Sequence, residues 1–133
     1  MRSVLLVEDD VWLSELYGKA LERREKTDVL YANSASSALK ILDKGPVDLL
    51  ILDIFLDRHN GIELLHELSS YNDTRLIPVI ILSAVSEHDF EMPIDRWQQY
   101  GVVKYLYKPS TKPIDLIDVV EAQLHLNEAP DAR

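Results

Sequence analysis

Four short apolar runs in this chain each end in a group that can do chemistry. Residues 3–7 lead into Glu8, Asp9 and Asp10; residues 47–52 lead into Asp53; residues 77–82 lead into Ser83 and Ala84; residues 102–107 lead into Lys108 and Pro109. If the runs are neighbouring parallel strands, carboxylates, a hydroxyl and an ammonium meet at one sheet edge, where open α/β sheets gather function. Glu8, Asp9 and Asp53 cannot all stay ionised at close quarters without a counter-charge. A divalent cation meets that need, and all-oxygen ligation with spare positions suits Mg2+. Lys108 adds a second positive point, and Asp53 is placed to act as a nucleophile that becomes an acyl phosphate. The Ser83 hydroxyl and the Ala84 backbone N–H can then bind the transferred phosphoryl group.

Each residue also has a plain structural explanation. Asp10 suits a helix N-cap, Asp53 can simply end a strand, Ser83-Ala84 can be a turn, and Lys-Pro occurs in many loops. What these explanations leave open is why all four strands end this way. His59, His66, His88 and His125 lack metal-ligand spacing and read as solvated.

The elements that must position these groups alternate along the chain. Strands are expected at 3–8, 28–32, 47–53, 77–83 and 102–107, their near-continuous apolar character suiting a sheet buried on both faces. A helix over about 11–25 carries Leu13, Leu16, Tyr17, Ala20 and Leu21 at helical spacing. Asn33 or Ser34 caps a second, with Ala35, Ala38, Leu39 and Leu42 on one face and Gly45-Pro46 as its stop. Ile62, Leu64, Leu65 and Leu68 define a third after Asn60-Gly61, a fourth helical region falls within 86–100, and the last has Pro113 in its first turn with Ile114, Ile117, Val120 and Leu124 inward. Five β-α units without an internal break predict an α/β doubly wound parallel sheet with helices on both faces.

With 133 residues the chain is expected to form one domain over 1–126, with 127–133 as a solvated tail or the start of a linker. A net charge of -9 argues against nucleic acid or an anionic membrane as the domain's own ligand. There is no cysteine, hence no disulfide and no thiol chemistry. No stretch approaches the ~20 apolar residues of a membrane span, and the first residues lead directly into a strand, so the cytoplasm is the expected location.

The motifs Leu-Leu-Val-Glu-Asp-Asp at 5–10, Leu-Ile-Leu-Asp at 50–53, Ile-Ile-Leu-Ser-Ala at 80–84 and Tyr-Leu-Tyr-Lys-Pro at 105–109 are weak singly and strong in this order and spacing. Through them the chain resembles the response-regulator receiver domains of two-component signalling over essentially residues 2–126. The resemblance implies a flavodoxin-like, chemotaxis-Y-like fold: a five-stranded parallel sheet of order 2-1-3-4-5 flanked by five helices. It implies that Asp53 accepts phosphate from a histidine kinase or histidine phosphotransfer protein, and that Glu8, Asp9, Asp53 and the backbone carbonyl of Phe55 hold Mg2+. It further implies that Ser83, the Ala84 N–H and Lys108 engage the phosphoryl group, that Tyr105 is the aromatic that moves with Ser83, and that Lys108-Pro109 is a cis peptide. Such a domain is a signalling switch that acts on an output domain or effector protein, not a metabolic enzyme.

Several positions depart from the family pattern. Glu8 stands for the commoner aspartate, and Asp57 for a proline. The stretch from Ser83 to Lys108 is longer than usual and contains Met92-Pro93, which predicts a long loop and then a short helix at about 93–100 with Ile94 and Trp97 inward. The strand entry before Tyr105 lacks an acidic pair and the last helix has no arginine, which disfavours the salt-bridged dimer of winged-helix regulators. Phe55 and Val85, at positions that flank the path of hydrolytic water in relatives, are both apolar, which predicts a long-lived phosphorylated state. Other functions fit less well. A phosphohydrolase of the haloacid dehalogenase type needs a second aspartate where Phe55 stands, a non-phosphorylated receiver-like binder would have lost Asp53, an acidic partner or Lys108, and a flavin site needs a Ser/Thr/Gly-rich phosphate loop after the first strand, where Glu8-Asp9-Asp10 would repel a phosphate without metal.

Overall fold

Alternating side chains along three central strands divide the core into two layers, one on each face of a parallel sheet. The computed structural model describes residues 2–24, 26–56, 59–90 and 92–127. The strands are β1 (Arg2–Val7), β2 (Thr27–Ala32), β3 (Leu49–Leu52), the two-residue β4 (Phe55–Leu56) and β5 (His59–Asn60), β6 (Val79–Ser83) and β7 (Val102–Tyr107). The helices are α1 (Val11–Glu22), α2 (Ala35–Lys44), α3 (Gly61–Ser69), α4 (Glu87–Phe90), α5 (Ile94–Gln99) and α6 (Pro113–Asn127).

The main sheet has the order β2-β1-β3-β6-β7 and every pairing in it is parallel. Since β4 and β5 form only a small antiparallel hairpin, the five long strands follow the expected 2-1-3-4-5 order. Leu5 and Val7 of β1, Leu50 and Leu52 of β3, and Val79 and Ile81 of β6 face a layer completed by Ala38, Leu42, Leu64, Leu65, Leu68 and Trp97. Their neighbours Val4, Leu6, Leu49, Ile51, Ile80 and Leu82 face the opposite layer, completed by Tyr17, Leu21, Leu116, Ile117, Val120 and Leu124. A one-residue slip of any central strand would exchange these two sets, so burial on both faces holds the register tightly.

Local signals start the helices as the sequence predicts. Asp10 caps α1 by accepting from the Leu13 N–H at 3.1 Å. Ser34, not Asn33, caps α2 in a reciprocal box with Ser37. The 84–100 region differs from expectation. Instead of an uninterrupted loop before the short helix, one helical turn, α4, forms on Ser86, whose carbonyl accepts from Phe90 N–H at 3.0 Å and whose hydroxyl accepts from Asp89 N–H at 3.2 Å. Trp97 is buried as expected, but Ile94 is 71% exposed, because Phe90 and Met92 from the preceding segment pack against that part of the core in its place. In α6 the inward set is Leu116, Ile117, Val120 and Leu124, while Ile114 is exposed, lying roughly a quarter turn from the centre of that stripe.

The Lys108-Pro109 peptide is trans, contrary to the expected cis form. Pro109 sits in a 3-10 turn, Lys108–Ser110, closed by the Thr111 N–H on the Lys108 carbonyl at 3.1 Å. Trans is also the form that an X-Pro bond prefers by about 0.5–1 kcal/mol where tertiary contacts do not oppose it. Asp57 and residues 128–133 of the expected tail lie outside the described residues.

Gly61 closes the loop that follows β3. Its N–H donates to the Ile54 carbonyl at 2.7 Å, and a Cβ there would lie 2.8 Å from Ile54 Cα and 3.1 Å from the Asp53 carbonyl. Those atoms are backbone and cannot turn aside. Gly61→Ala is therefore expected to destabilise the fold by about 1–3 kcal/mol in urea denaturation, with the displacement falling on the Asp53 loop.

Candidate functional site

Strand register brings the chemically distinctive residues together. Val7 pairs with Leu52 and Leu52 with Ile81, so Glu8 and Asp53 leave the sheet in the same row. Ser83 pairs with Tyr107, which delivers Lys108 one residue beyond. Asp53 N–H bonds to the Val7 carbonyl and Glu8 N–H to the Ala32 carbonyl, both at 3.0 Å, so the ladder runs right up to the site.

Glu8 and Asp53 are only 3% and 5% exposed, and Ser83 is fully buried. Between the two carboxylates lies Lys108 Nζ, 2.6 Å from Glu8 Oε1 and 2.9 Å from Asp53 Oδ2. The Asp53 contact is an aligned hydrogen bond, whereas Glu8 Oε1 meets Nζ as an ion pair outside hydrogen-bond geometry. The sequence placed Lys108 across from the carboxylates; the structure inserts its ammonium between them. Asp53 Oδ1 accepts from the Phe55 backbone N–H at 3.0 Å, and Glu8 Oε2 accepts from the Asp10 N–H at 3.3 Å. The extra methylene of glutamate lets Glu8 span Lys108 and the start of α1.

Half-buried Asp9 completes an acidic group with Glu8 and Asp53, each offering a carboxylate oxygen within 4.8 Å of the others. Burial, opposed by Lys108 and reinforced by the charge of Asp53, raises the Glu8 pKa from the ordinary 4.5 to about 7. Burial also works against the Lys108 ammonium, but Glu8 and Asp53 outweigh it and hold its pKa above the ordinary lysine value. One ammonium thus lies between two of the three carboxylates. The three carboxylates supply hard oxygen donors that fit a divalent cation such as Mg2+.

On the next strand, Ser83 Oγ accepts from the Val85 N–H at 3.0 Å, and the Tyr105 hydroxyl donates to the Val85 carbonyl at 2.6 Å. Burial raises the Tyr105 pKa, which keeps the phenol protonated as that donor. Ala84 is exposed at the strand end. Phe55 turns its ring towards Phe90, centroid to centroid 5.8 Å and nearly edge-on, and Phe90 in turn lies against Trp97 and Tyr105. No motif in the sequence points to this ring cluster. Its only local signal was the aromatic content of the atypical 84–100 stretch.

A sequence profile of the response regulator receiver domain matches residues 4–121. The chain belongs to the response regulator receiver family. This receiver is 41% identical over 110 residues to the transcriptional regulatory protein MalR of Bacillus subtilis, a match covering 82% of this chain and 45% of MalR. It is 37% identical over 110 residues to the transcriptional regulatory protein CpxR of Escherichia coli, covering 82% and 44%. The receiver spans about half the length of the curated relatives it matches. The receiver domain of Francisella response regulator 1452 superposes with a TM-score of 0.81 at 25% identity, over 96% of this chain and 100% of that one. The chemotaxis response regulator CheY4 of Vibrio cholerae shares the fold, with a TM-score of 0.80 at 20% identity over 92% and 98%. Membership makes this receiver a switch in two-component signalling rather than a metabolic enzyme. Among the described residues no helix is long and apolar enough to cross a membrane.

The raised Glu8 pKa has a consequence for stability when no metal is added. Ionised Glu8 opposes folding; the opposition is complete above about pH 7, fades as pH falls towards 4.5, and vanishes where both folded and unfolded states hold the proton. Glu8→Gln is therefore expected to be more stable than wild type above pH 7, by on the order of 2 kcal/mol, and to lose that advantage by pH 4.5. Urea titrations in a chelating buffer across this range measure the difference.

Proposed function

We propose that this receiver takes a phosphoryl group onto Asp53 from a histidine kinase or histidine phosphotransfer protein and changes conformation in response. The observation that carries this is the state of the Asp53 carboxylate: buried, at the end of the central strand, with one oxygen on Lys108 and the other on the Phe55 N–H. A carboxylate oxygen of Asp53 attacks phosphorus in line, the P–N bond to the donor imidazole breaks, and the bonding pair leaves on the imidazole nitrogen. Chemistry of this kind depends on positioning and charge stabilisation more than on covalent work by the protein.

Glu8, Asp9, Asp53 and the Phe55 carbonyl would hold Mg2+, which supplies charge neutralisation at the phosphoryl oxygens. Lys108 leaves its ion pair with Glu8 to meet the new charge. The Ser83 hydroxyl and the Ala84 N–H bind the remaining phosphoryl oxygens. Drawing Ser83 towards phosphate strains its bond with Val85, and Tyr105, bonded to the carbonyl of that same residue, responds. Val11 and Trp12, 71% and 69% exposed beside the site, offer a protein donor an apolar foothold. The switch acts in the cytoplasm on an output domain or effector protein, in keeping with relatives whose names describe transcriptional regulation.

Incubation with a small phosphodonor and Mg2+ is expected to add one acid-labile, hydroxylamine-sensitive phosphate per chain, and Asp53→Asn to abolish it. Normal labelling of that variant would remove the assignment. Millimolar Mg2+ should raise the melting temperature by mass action, and Asp9→Ala should blunt the rise. Calorimetry with and without the ion checks this, and an unchanged melting temperature in wild type would overturn the shared cation site.

A further inference from the structure

Phe55 touches two parts of the molecule at once. Its backbone N–H holds Asp53 Oδ1 at 3.0 Å, while its ring, 49% exposed, stands 5.8 Å from the Phe90 ring at 70°. The hairpin that carries Phe55 has only two residues in each strand, Phe55–Leu56 and His59–Asn60, so its ladder contributes little rigidity. Phe90, in contrast, is well supported. It ends α4, lies 5.4 Å from the buried Trp97 ring, and lies 6.5 Å from the Tyr105 ring. Through Tyr105 it reaches the Val85 backbone and hence Ser83. One ring therefore braces both loops that face the acceptor carboxylate.

We propose that Phe90 is a positioning residue for phosphoryl acceptance: by holding the Phe55 ring edge-on it keeps the Phe55 N–H on Asp53 Oδ1 and so fixes the plane of the nucleophilic carboxylate. The proposal rests on the reading of Asp53 as the acceptor. Its physical basis is that in-line attack tolerates little misorientation of the attacking group, while a carboxylate tethered at both oxygens loses one tether if the loop drifts. The edge-to-face contact is the ring interaction that resists this drift, and it acts at a distance from the reacting atoms.

The experiment follows phosphorylation of the full chain by phosphoramidate at saturating Mg2+ in wild type, Phe90→Leu, Phe55→Leu, the double variant and Phe90→Tyr. Leucine retains apolar bulk, so the fold is kept while the ring contact is lost. Each single leucine variant is expected to lower the maximal rate constant about fivefold without shifting the half-saturating donor concentration. The double variant should be no slower than either single one, because both remove the same contact. Phe90→Tyr, which restores the ring, should return to within about twofold of wild type. A wild-type rate in Phe90→Leu, multiplying losses in the double variant, or no rescue by tyrosine would overturn the positioning role while leaving Asp53 as acceptor. Absence of any phosphate uptake by wild type would overturn the acceptor reading and this inference with it.

Discussion

Two buried carboxylates, Glu8 and Asp53, meet at the carboxyl edge of the sheet with the half-buried Lys108 ammonium between them, and the rest of the molecule is arranged around that contact. Glu8 and Asp53 are almost wholly removed from water, where their mutual repulsion is poorly screened. Lys108 relieves part of it by lying between them. Such a cluster is a poor way to stabilise a fold, since desolvation of the charges consumes much of the Coulombic gain. It is a good way to build a site that responds strongly to an added cation or a change of charge at Asp53. The stability that tolerates this arrangement comes from elsewhere, from two apolar layers that bury β1, β3 and β6 on both faces.

Those layers also supply precision. Parallel pairing with strict alternation holds Val7, Leu52 and Ile81 abreast, and the groups just beyond them inherit that alignment. Gly61 lets the chain turn back tightly against Ile54 and Asp53 immediately after the central strand. The Asp53 carboxylate thus hangs from the end of the central strand, whose residues are buried on both faces, while Lys108 and Phe55 reach it from neighbouring segments.

The far side of the site departs from a simple β-α repeat. A single helical turn, α4, and the short α5 occupy the stretch after Ser83, and Phe90 and Trp97 bring rings against Phe55 and Tyr105. Rings packed edge to face transmit displacement because they have few alternative arrangements. The surface beyond Ser83 is therefore shaped by aromatic packing rather than by the regular helix that follows the fourth long strand in a simple β-α repeat.

Much of this was legible in the chain itself. Apolar runs of strand length, each ending in Glu8-Asp9, Asp53, Ser83 or Lys108, disclose both the sheet and the groups at its edge, because strand periodicity and chain direction are local properties. Caps at Asp10 and Ser34 and the stop at Gly45-Pro46 were local as well. Only the tertiary structure decided which groups touch. Lys108 reaches Glu8 across 100 positions of sequence through the β6–β7, β3–β6 and β1–β3 registers, which no local pattern encodes. Ile94 and Ile114 carry the right residue type for burial, but neighbours already fill one place and helix rotation turns the other to solvent. Pro109 can take either isomer at small cost, so its trans form follows from the turn that contains it. The rings of Phe55, Phe90, Trp97 and Tyr105 come from four separate elements; their residue types were plain in the sequence, and their meeting was settled by packing.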